Sequence, residues 1–384
     1  MSKIKAVVGI FAFLMMLTNP QMVYDSAVFA AATWWNSVIP ALLPFFIVSE
    51  FLMAIGLTEC LAVWMEPIMR PVFRLSGGSA LAIVMGFVSG TPTAANITAG
   101  LYKKKLCTKD EAERLLAFTN NSGPLYILAA VAVGIFQTPS VGIILFLSHY
   151  PINFIIGIIL RFFAKDKRQA ADTVKKNLLL QGFNIIKCCQ TPPLGRLLNT
   201  VVQKSLISIG AVGGFMVVFG ILTAAFDIAG ITKLLTILLS PIAKLFAIDK
   251  SCLSAMAAGF WEMTIGIALL PQSGADLLSM LLAASAVLAW NGVSIQSQVA
   301  AMISETDLSL TKYRICRIIH SFAAPTIVLM IYKKTAPVFA LTKPSAVNLL
   351  NYLTPLSLLL FSLFILALIG FLGIAVCGRS RKNY

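Results

Sequence analysis

Small polar residues gather at four places in a sequence that is otherwise apolar. Ser89, Gly90, Thr91, Thr93 and Asn96 make the first group, and Asn120, Asn121 and Ser122 the second. Glu262 and Thr264 make the third, and Asn291, Ser294, Gln296 and Gln298 the fourth. Amide and hydroxyl side chains both donate and accept, so together they can surround a small polar solute without a metal or a cofactor. Glu262 differs in kind: a carboxylate among apolar neighbours is costly to keep charged, and its expected roles are proton or cation coupling, or a hydrogen bond to substrate. Taken singly, each asparagine reads as a helix-to-helix hydrogen bond; their recurrence at matched places is what favours a site.

The elements that must position these residues are interrupted helices. Gly86-Phe87-Val88-Ser89-Gly90-Thr91-Pro92 and Phe118-Thr119-Asn120-Asn121-Ser122-Gly123-Pro124 place Gly, Pro and small polar residues inside apolar surroundings. In hydrocarbon an unpaired backbone group costs several kcal/mol, so such backbone survives only where protein buries it or a cavity solvates it. Free amides at a break, with the partial positive charge of a helix N-terminus, make a ready site for an anion or a polar group.

A second copy follows. Gly259-Phe260-Trp261-Glu262 repeats the Gly-Phe opening, and Trp290-Asn291-Gly292-Val293-Ser294 repeats the later break. Gly86 precedes Asn120 by 34 positions and Gly259 precedes Asn291 by 32, while the two histidines, His149 and His320, each lie 29 positions beyond their asparagine. Two corresponding interrupted segments in two halves are the sequence pattern of a transporter's binding site. The histidines are expected near an interface at the start of their spans, in structural hydrogen bonds rather than a proton relay.

Bulk composition agrees. The chain has 384 residues, 58% hydrophobic and 12% charged, and a mean hydropathy of +0.88, which excludes a soluble fold. Its net charge of +15 gathers in short loops beside apolar runs, as the positive-inside rule expects, and not in a nucleic-acid surface. Seven cysteines (Cys60, Cys107, Cys188, Cys189, Cys252, Cys316 and Cys377) show no metal spacing and read as apolar fillers. No Ser/His/Asp or Cys/His constellation argues for an enzyme, and no cofactor or metal is implied.

In order, residues 4 to 18 are read as a retained first helix, since no small-residue cleavage site follows, and residues 21 to 34 as an outside segment ending in Trp34 and Trp35. A span from Trp35 to Leu57, kinked at Pro40 and Pro44, carries Glu50 without an evident partner. Thr58 to Leu75, with Glu59, Glu66 and Pro67, should lie in the interface. Residues 79 to 101 form a re-entrant hairpin. Thr108 and Glu111 make a capping box for a helix that breaks at Asn120 and restarts near Pro124. Val141 to Phe163 spans, and a basic cytoplasmic stretch follows. The second half has a Gly-rich span (205 to 226), an interfacial helix (231 to 247), a hairpin (252 to 273), a broken helix (277 to 302) and a span (315 to 332). A last helix, 347 to 377, ends in Arg379, Arg381 and Lys382. The expected architecture is an all-α polytopic membrane protein, an inverted-repeat transporter with two re-entrant hairpins, two broken helices and about eight full spans. The divisions are 1–34, repeat one 35–164, linker 165–204, inverted repeat two 205–334, and 335–384, with both termini cytoplasmic.

The glycine hairpin at Gly86–Pro92, the run from Lys109 to Pro124 and the stretch from Trp290 to Gln298 resemble the nucleoside-recognition or Gate-domain superfamily, which includes the concentrative nucleoside transporters. In particular the chain resembles the YlbJ/SpoVV-type sporulation integral membrane proteins, over nearly its whole length. In the nucleoside transporters a hairpin glutamate, a second glutamate and an Asn-x-x-Ser pair bind the nucleoside. Asn291 and Ser294 match that pair and Glu262 resembles the second glutamate, while Gly90-Thr91-Pro92 has no acid at the first hairpin. The sporulation family implies dipicolinate, a flat aromatic dianion, moved across the outer forespore membrane of a bacterium. The expected partners are therefore a small-molecule substrate and the lipid bilayer, with no nucleic acid and with homo-oligomerisation open. A nucleoside-type carrier and a non-transporting sporulation assembly protein remain the alternatives.

Overall fold

Helices account for every regular element among the described residues of this computed structural model, which are 2–55, 64–65, 69–76, 78–91, 93–164 and 193–341. Outside them lie most of the 58–75 segment with Glu59, Glu66 and Pro67, Pro92, residues 165–192 of the linker, the expected helix at 347–377, and Cys60, Cys188, Cys189 and Cys377. Residues Met1–Tyr332 form one compact unit and Lys333–Tyr384 another, of which only the helical turns to Leu341 are described.

Helix α1 runs Ser2–Thr18 and ends where Pro20 opens α2, Pro20–Thr33. Proline suits a first helical turn, where its missing N–H has no partner to lose. The stretch expected as an outside segment is therefore helical, and it continues through a wide turn at Trp34–Val38 into α3, Ile39–Ala54. Glycines let α2 pack tightly on α9, Leu194–Ile228. A Cβ on Gly213 would stand 2.5 Å from the Trp34 ring, and the Trp34 indole donates to the Ile209 carbonyl at 3.0 Å.

Helix α9 starts earlier than the sequence suggested. Residues 194–204, expected in the linker, are its first turns, because nothing after Pro193 breaks a helix. Its 35 residues reach about 52 Å, well beyond a hydrocarbon core of about 30 Å. Glu50 is not isolated either: Lys204 Nζ lies 4.0 Å from its carboxylate.

Two helical hairpins sit between the long helices. The first pairs α4 (Ser79–Val88) with α5 (Thr93–Lys103), and the second pairs α11 (Leu253–Trp261) with α12 (Met263–Leu269). No arm exceeds 11 residues, so none can cross alone. In the second, Gly266 meets Gly259 backbone to backbone: a Cβ on Gly266 would lie 2.2 Å from the Gly259 Cα. Helix α6 (Lys109–Thr119) opens on the expected capping box, with Glu111 N donating to Thr108 Oγ1 and Thr108 N to Glu111 Oε2. After a break it resumes as the wide-turned α7, Tyr126–Ile135. Helix α8 is Pro139–Leu160, α10 is Ile231–Leu245, and α13 (Leu277–Trp290) and α14 (Gly292–Met302) form the second broken helix. The final helix, α15, spans Thr311–Leu341. Five helices among the described residues are long and apolar enough to cross a membrane.

The core lies where the first hairpin (α4 and α5), α6, α8, α14 and α15 meet, with Ala289 from the end of α13 and with Phe73 stacked on Phe118 at 5.1 Å. At one end, charged loops of both halves join. Tyr102 and Lys109 bond Asp307, Lys103 pairs with Glu305, and Lys312 bridges Asp110 and Glu113. Residues 102–114 and 304–313 thus share one face. Cysteines placed singly at Lys104 and Ser304, in a chain lacking other cysteines, should label from the same side of the membrane, and one at Lys244 from the opposite side by the inverted reading. Labelling of Lys104 and Ser304 from opposite sides would contradict the fold itself, and labelling of Lys244 with them would contradict the inversion.

The hydrogen bond from Lys109, seconded by that from Tyr102, holds the Asp307 carboxyl below its ordinary value of 3.8. A folded-state value that is depressed gives stability above the unfolded value and loses it as pH falls through the folded one. Acid should therefore loosen this face at pH below 3.8, and Asp307→Asn should flatten that part of the stability profile. An unchanged acid limb in thermal melts across pH would remove Asp307 from the account.

Candidate functional site

Each hairpin tip docks on a helix break, and the two breaks dock on each other. At the first tip Gly90 adopts φ +75°, and a Cβ there would stand 2.7 Å from the Gly123 nitrogen. Thr91 N donates to the Asn121 carbonyl at 3.0 Å, and the Asn121 amide reaches back to the carbonyls of Gly86 (2.9 Å) and Thr119 (3.1 Å). At the second, Asn291 (φ 68°) and Gly292 (φ +64°) turn the chain between α13 and α14, with Gly292 against the Met263 nitrogen. Asparagine and glycine are the residues that take this left-handed conformation most readily. The Trp290 indole, stacked on Phe260, donates to the Phe260 carbonyl at 3.0 Å.

Between the breaks, Asn291 Nδ2 donates to the Asn120 carbonyl at 3.0 Å across 171 positions of sequence. Ser122 Oγ lies 3.4 Å from both Asn291 Oδ1 and Met263 Sδ, and the Tyr126 hydroxyl bonds Thr264 at 2.9 Å. A cavity of about 70 Å³ remains beside these contacts, lined among others by Ser89, Thr91, Asn121, Ser122, Glu262, Thr264 and Gln298. Its apolar wall comes from α3 and α9, among them Phe46 and Met216. Ligand pockets for molecules of drug size measure roughly 300 Å³ or more. In this conformation its volume suits a few waters and not a solute of that size.

Glu262 is 2% exposed and faces this cavity. Its carboxylate caps α12, accepting from Ile265 N at 2.6 Å. The helix N-terminus that the sequence offered to an incoming anion is thus occupied by the chain's own acid. A carboxylate in this place stabilises the first turn of α12, where the peptide dipoles favour negative charge.

The sequence candidates therefore divide. Seven of the fourteen line the cavity. Gly90 and Asn291 hold tips and breaks in register, and Thr93 lies 3.2 Å from the Ser89 hydroxyl. Asn120 spends its amide on the Leu116 carbonyl. Gln296 bonds the Trp290 carbonyl at 3.2 Å. Ser294 is buried with an unpaired hydroxyl, and Asn96 is exposed, away from the cavity. Residues that the sequence reading did not single out include Tyr126 and Tyr150, whose hydroxyl bonds the carbonyls of Phe87 and Ser122. A tyrosine just after a break is the available signal, because a buried phenol needs a partner. His149 and His320 do not begin their spans at an interface. Both sit near the middle of the bundle, 1% and 0% exposed, with ring centroids 4.4 Å apart.

Comparisons with known proteins give the chain its family. Residues 35–165 match the family profile Gate, described as nucleoside recognition. The sporulation integral membrane protein YlbJ of Bacillus subtilis (strain 168) is 32% identical over 324 residues, covering 83% of this chain and 79% of YlbJ. The chain belongs to the YlbJ family. That relative is an integral membrane protein, and with five helices among its described residues long and apolar enough to cross a membrane, this member is a multi-pass membrane protein. Among solved structures, CNTnw in an outward-facing state superposes with a TM-score of 0.46 at 11% identity, over 86% of this chain and 85% of that one.

If the breaks are mutually satisfied, Asn291→Ala should cost about 1–3 kcal/mol by orphaning the Asn120 carbonyl. With Ser122→Ala it should be non-additive by about 0.5 kcal/mol or more. Gly266→Ala should cost about 1–3 kcal/mol by pushing the arms of the second hairpin apart. Unfolding of the purified variants in detergent measures all three; strict additivity of the Ser122 and Asn291 changes would uncouple the two breaks.

Proposed function

We propose that this chain carries a small polar solute through the cavity between the two breaks, and that its cargo in sporulation is dipicolinate, moved across the outer forespore membrane. The observation that carries the reading is the convergence of both tips and both breaks on one buried, partly polar cavity. The Gate match and the YlbJ likeness support it. In this reading the hairpins are re-entrant and the two halves inverted, so that each tip can retreat toward its own face while the other stays shut. The substrate residues are those on the cavity wall, with Asn120, Asn291, Ser294 and Gln296 behind them.

Glu262 sets a condition on the cargo. A charged carboxylate beside a bound dianion in a water-poor cavity is strongly repulsive. Dipicolinate must therefore enter with Glu262 protonated, which couples its movement to a proton. Flux in proteoliposomes should fall as pH rises, and Glu262→Gln, neutral at every pH, should flatten that dependence. Flux with the same rate and pH profile in Glu262→Gln would return this residue to a helix cap alone.

A second reading rests on the same acid. Glu262 as a permanent acceptor suits a hydroxyl-rich neutral solute, such as a nucleoside, better than a dianion. Equilibrium binding of dipicolinate and of nucleosides to the purified chain separates the two. Saturable dipicolinate binding, weakened about ten-fold by Ser122→Ala, supports the first reading. Binding of nucleosides alone selects the second, and binding of neither leaves a membrane assembly role.

A further inference from the structure

Each hairpin leaves one carbonyl over where its first arm ends, and in both it belongs to the phenylalanine of the repeated Gly-Phe opening. In the first hairpin Gly90 N turns back to the Gly86 carbonyl at 3.1 Å, Thr91 N crosses to the Asn121 carbonyl at 3.0 Å, and Pro92 has no N–H. These three positions therefore give the Phe87 carbonyl nothing. In the second, Glu262 N takes the Ala258 carbonyl at 2.9 Å, while the amides of Thr264 and Ile265 are turned to the Glu262 carboxylate and not to the Phe260 carbonyl. A carbonyl left unpaired inside the protein costs about as much as a lost hydrogen bond.

Aromatic side chains from outside each hairpin fill the gap. Tyr150, on α8, donates its hydroxyl to the Phe87 carbonyl at 3.1 Å, and Trp290, the last residue of α13, donates its indole N–H to the Phe260 carbonyl at 3.0 Å. Both rings are braced, Tyr150 by Phe146 at 4.4 Å and Trp290 by Phe260 at 5.2 Å. The two donors are not counterparts in the repeat. Thr119 matches Trp290 and spends its hydroxyl on the Leu115 carbonyl, and Ser321 matches Tyr150 and spends its own on Ile318. The halves meet one need with different residues, so what they share is the tip carbonyl and not the donor.

Each bond also joins a hairpin to the break of its own half. Tyr150 reaches the Ser122 carbonyl at 3.1 Å as well, and Trp290 directly precedes Asn291. A phenol or an indole has one proton to give. A tip that withdraws thus gives up a single hydrogen bond at this point, and the Tyr150 hydroxyl then keeps Ser122. We propose that Tyr150 and Trp290 are a pair of latches, each holding one hairpin tip on the break of its own half, so that either hairpin can be loosened without the other. The pair rests on the reading in which a tip moves to admit the solute, but not on which solute that is.

The test is hydrogen–deuterium exchange of the full chain in detergent, followed over residues 86–96 and 253–269, with equilibrium binding of dipicolinate and of uridine to the same preparations. Tyr150→Phe keeps a ring on Phe146 and removes the O–H; Trp290→Phe keeps a ring on Phe260 and removes the N–H. Tyr150→Phe should speed exchange over 86–96 about three- to ten-fold and leave 253–269 unchanged, and Trp290→Phe should do the reverse. Because the cavity as it stands is too small for either solute, apparent affinity scales with the fraction of molecules already open. Each variant should therefore bind several-fold more tightly whichever solute the wild type binds, whereas loss of a merely structural bond speeds exchange without tightening binding. Unchanged exchange in a variant's own hairpin, or equal rises in both hairpins, overturns the latches. Saturable binding by the wild type with no tightening in either variant also overturns them and leaves the transport reading standing. Binding of neither solute by the wild type defeats that reading, and the latches with it. If Tyr150→Phe does not fold, Trp290→Phe applies the same test to the second latch.

Discussion

Backbone N–H and C=O groups freed inside an apolar protein must find partners, and that constraint organises this structure. Four interruptions release such groups, and the fold answers by stacking them together. Gly90 lets the first tip reach Asn121 and Gly123, while Gly292 brings the second break against Met263. Asn291 then ties one break to the other through the Asn120 carbonyl. Each irregular element is satisfied by another, and none is stable alone. The polar centre of the molecule is therefore held together by partners drawn from distant parts of the chain.

The same constraint shapes the chemistry. Glu262 is held by the amides of its own helix, so its charge is compensated without a cation. A solute that enters must either replace this arrangement or meet a protonated acid. The cavity is too small for a solute of dipicolinate or nucleoside size in this conformation, and the tips form one part of its wall beside α3 and α9. In the proposed reading opening and binding are one event, because a tip that moves also uncovers the amides and hydroxyls that would meet the cargo.

Charge is managed differently at the end of the bundle. There, Asp110, Glu113, Glu305 and Asp307 meet Lys103, Lys109, Arg114 and Lys312 in a solvated network joining the two halves. Arg114 is the exception in being buried, and its guanidinium is spent on the carbonyls of Phe73 and Arg74 as well as on Asp110. Arg317, also buried, has no such acid among the described residues and gives its Nη2 to the Ala117 carbonyl and Asn153 Oδ1 instead.

The amino-acid sequence by itself determined the helical, membrane-bound class, the hairpins, both breaks and the capping box at Thr108 and Glu111, because each depends on local composition: apolar length, Gly and Pro placement, or a three-residue spacing. It marked both halves of the polar centre through Asn120, Glu262 and Asn291, since polar residues in apolar runs stand out. Which of those residues face a cavity depends on rotation about helices and on distant partners. Only the tertiary structure decided that Asn96 points away, that Asn291 is spent on a carbonyl and that Glu262 caps its own helix. The helical state of residues 21–34 and 194–204 was likewise hidden, because their polar or aromatic residues suggested an interface or a linker, while packing on α9 holds the first stretch and continuity with α9 the second. The meeting of His149 with His320 and Arg317 is the extreme case, since equal spacing from two asparagines acquires meaning only when the breaks are brought face to face.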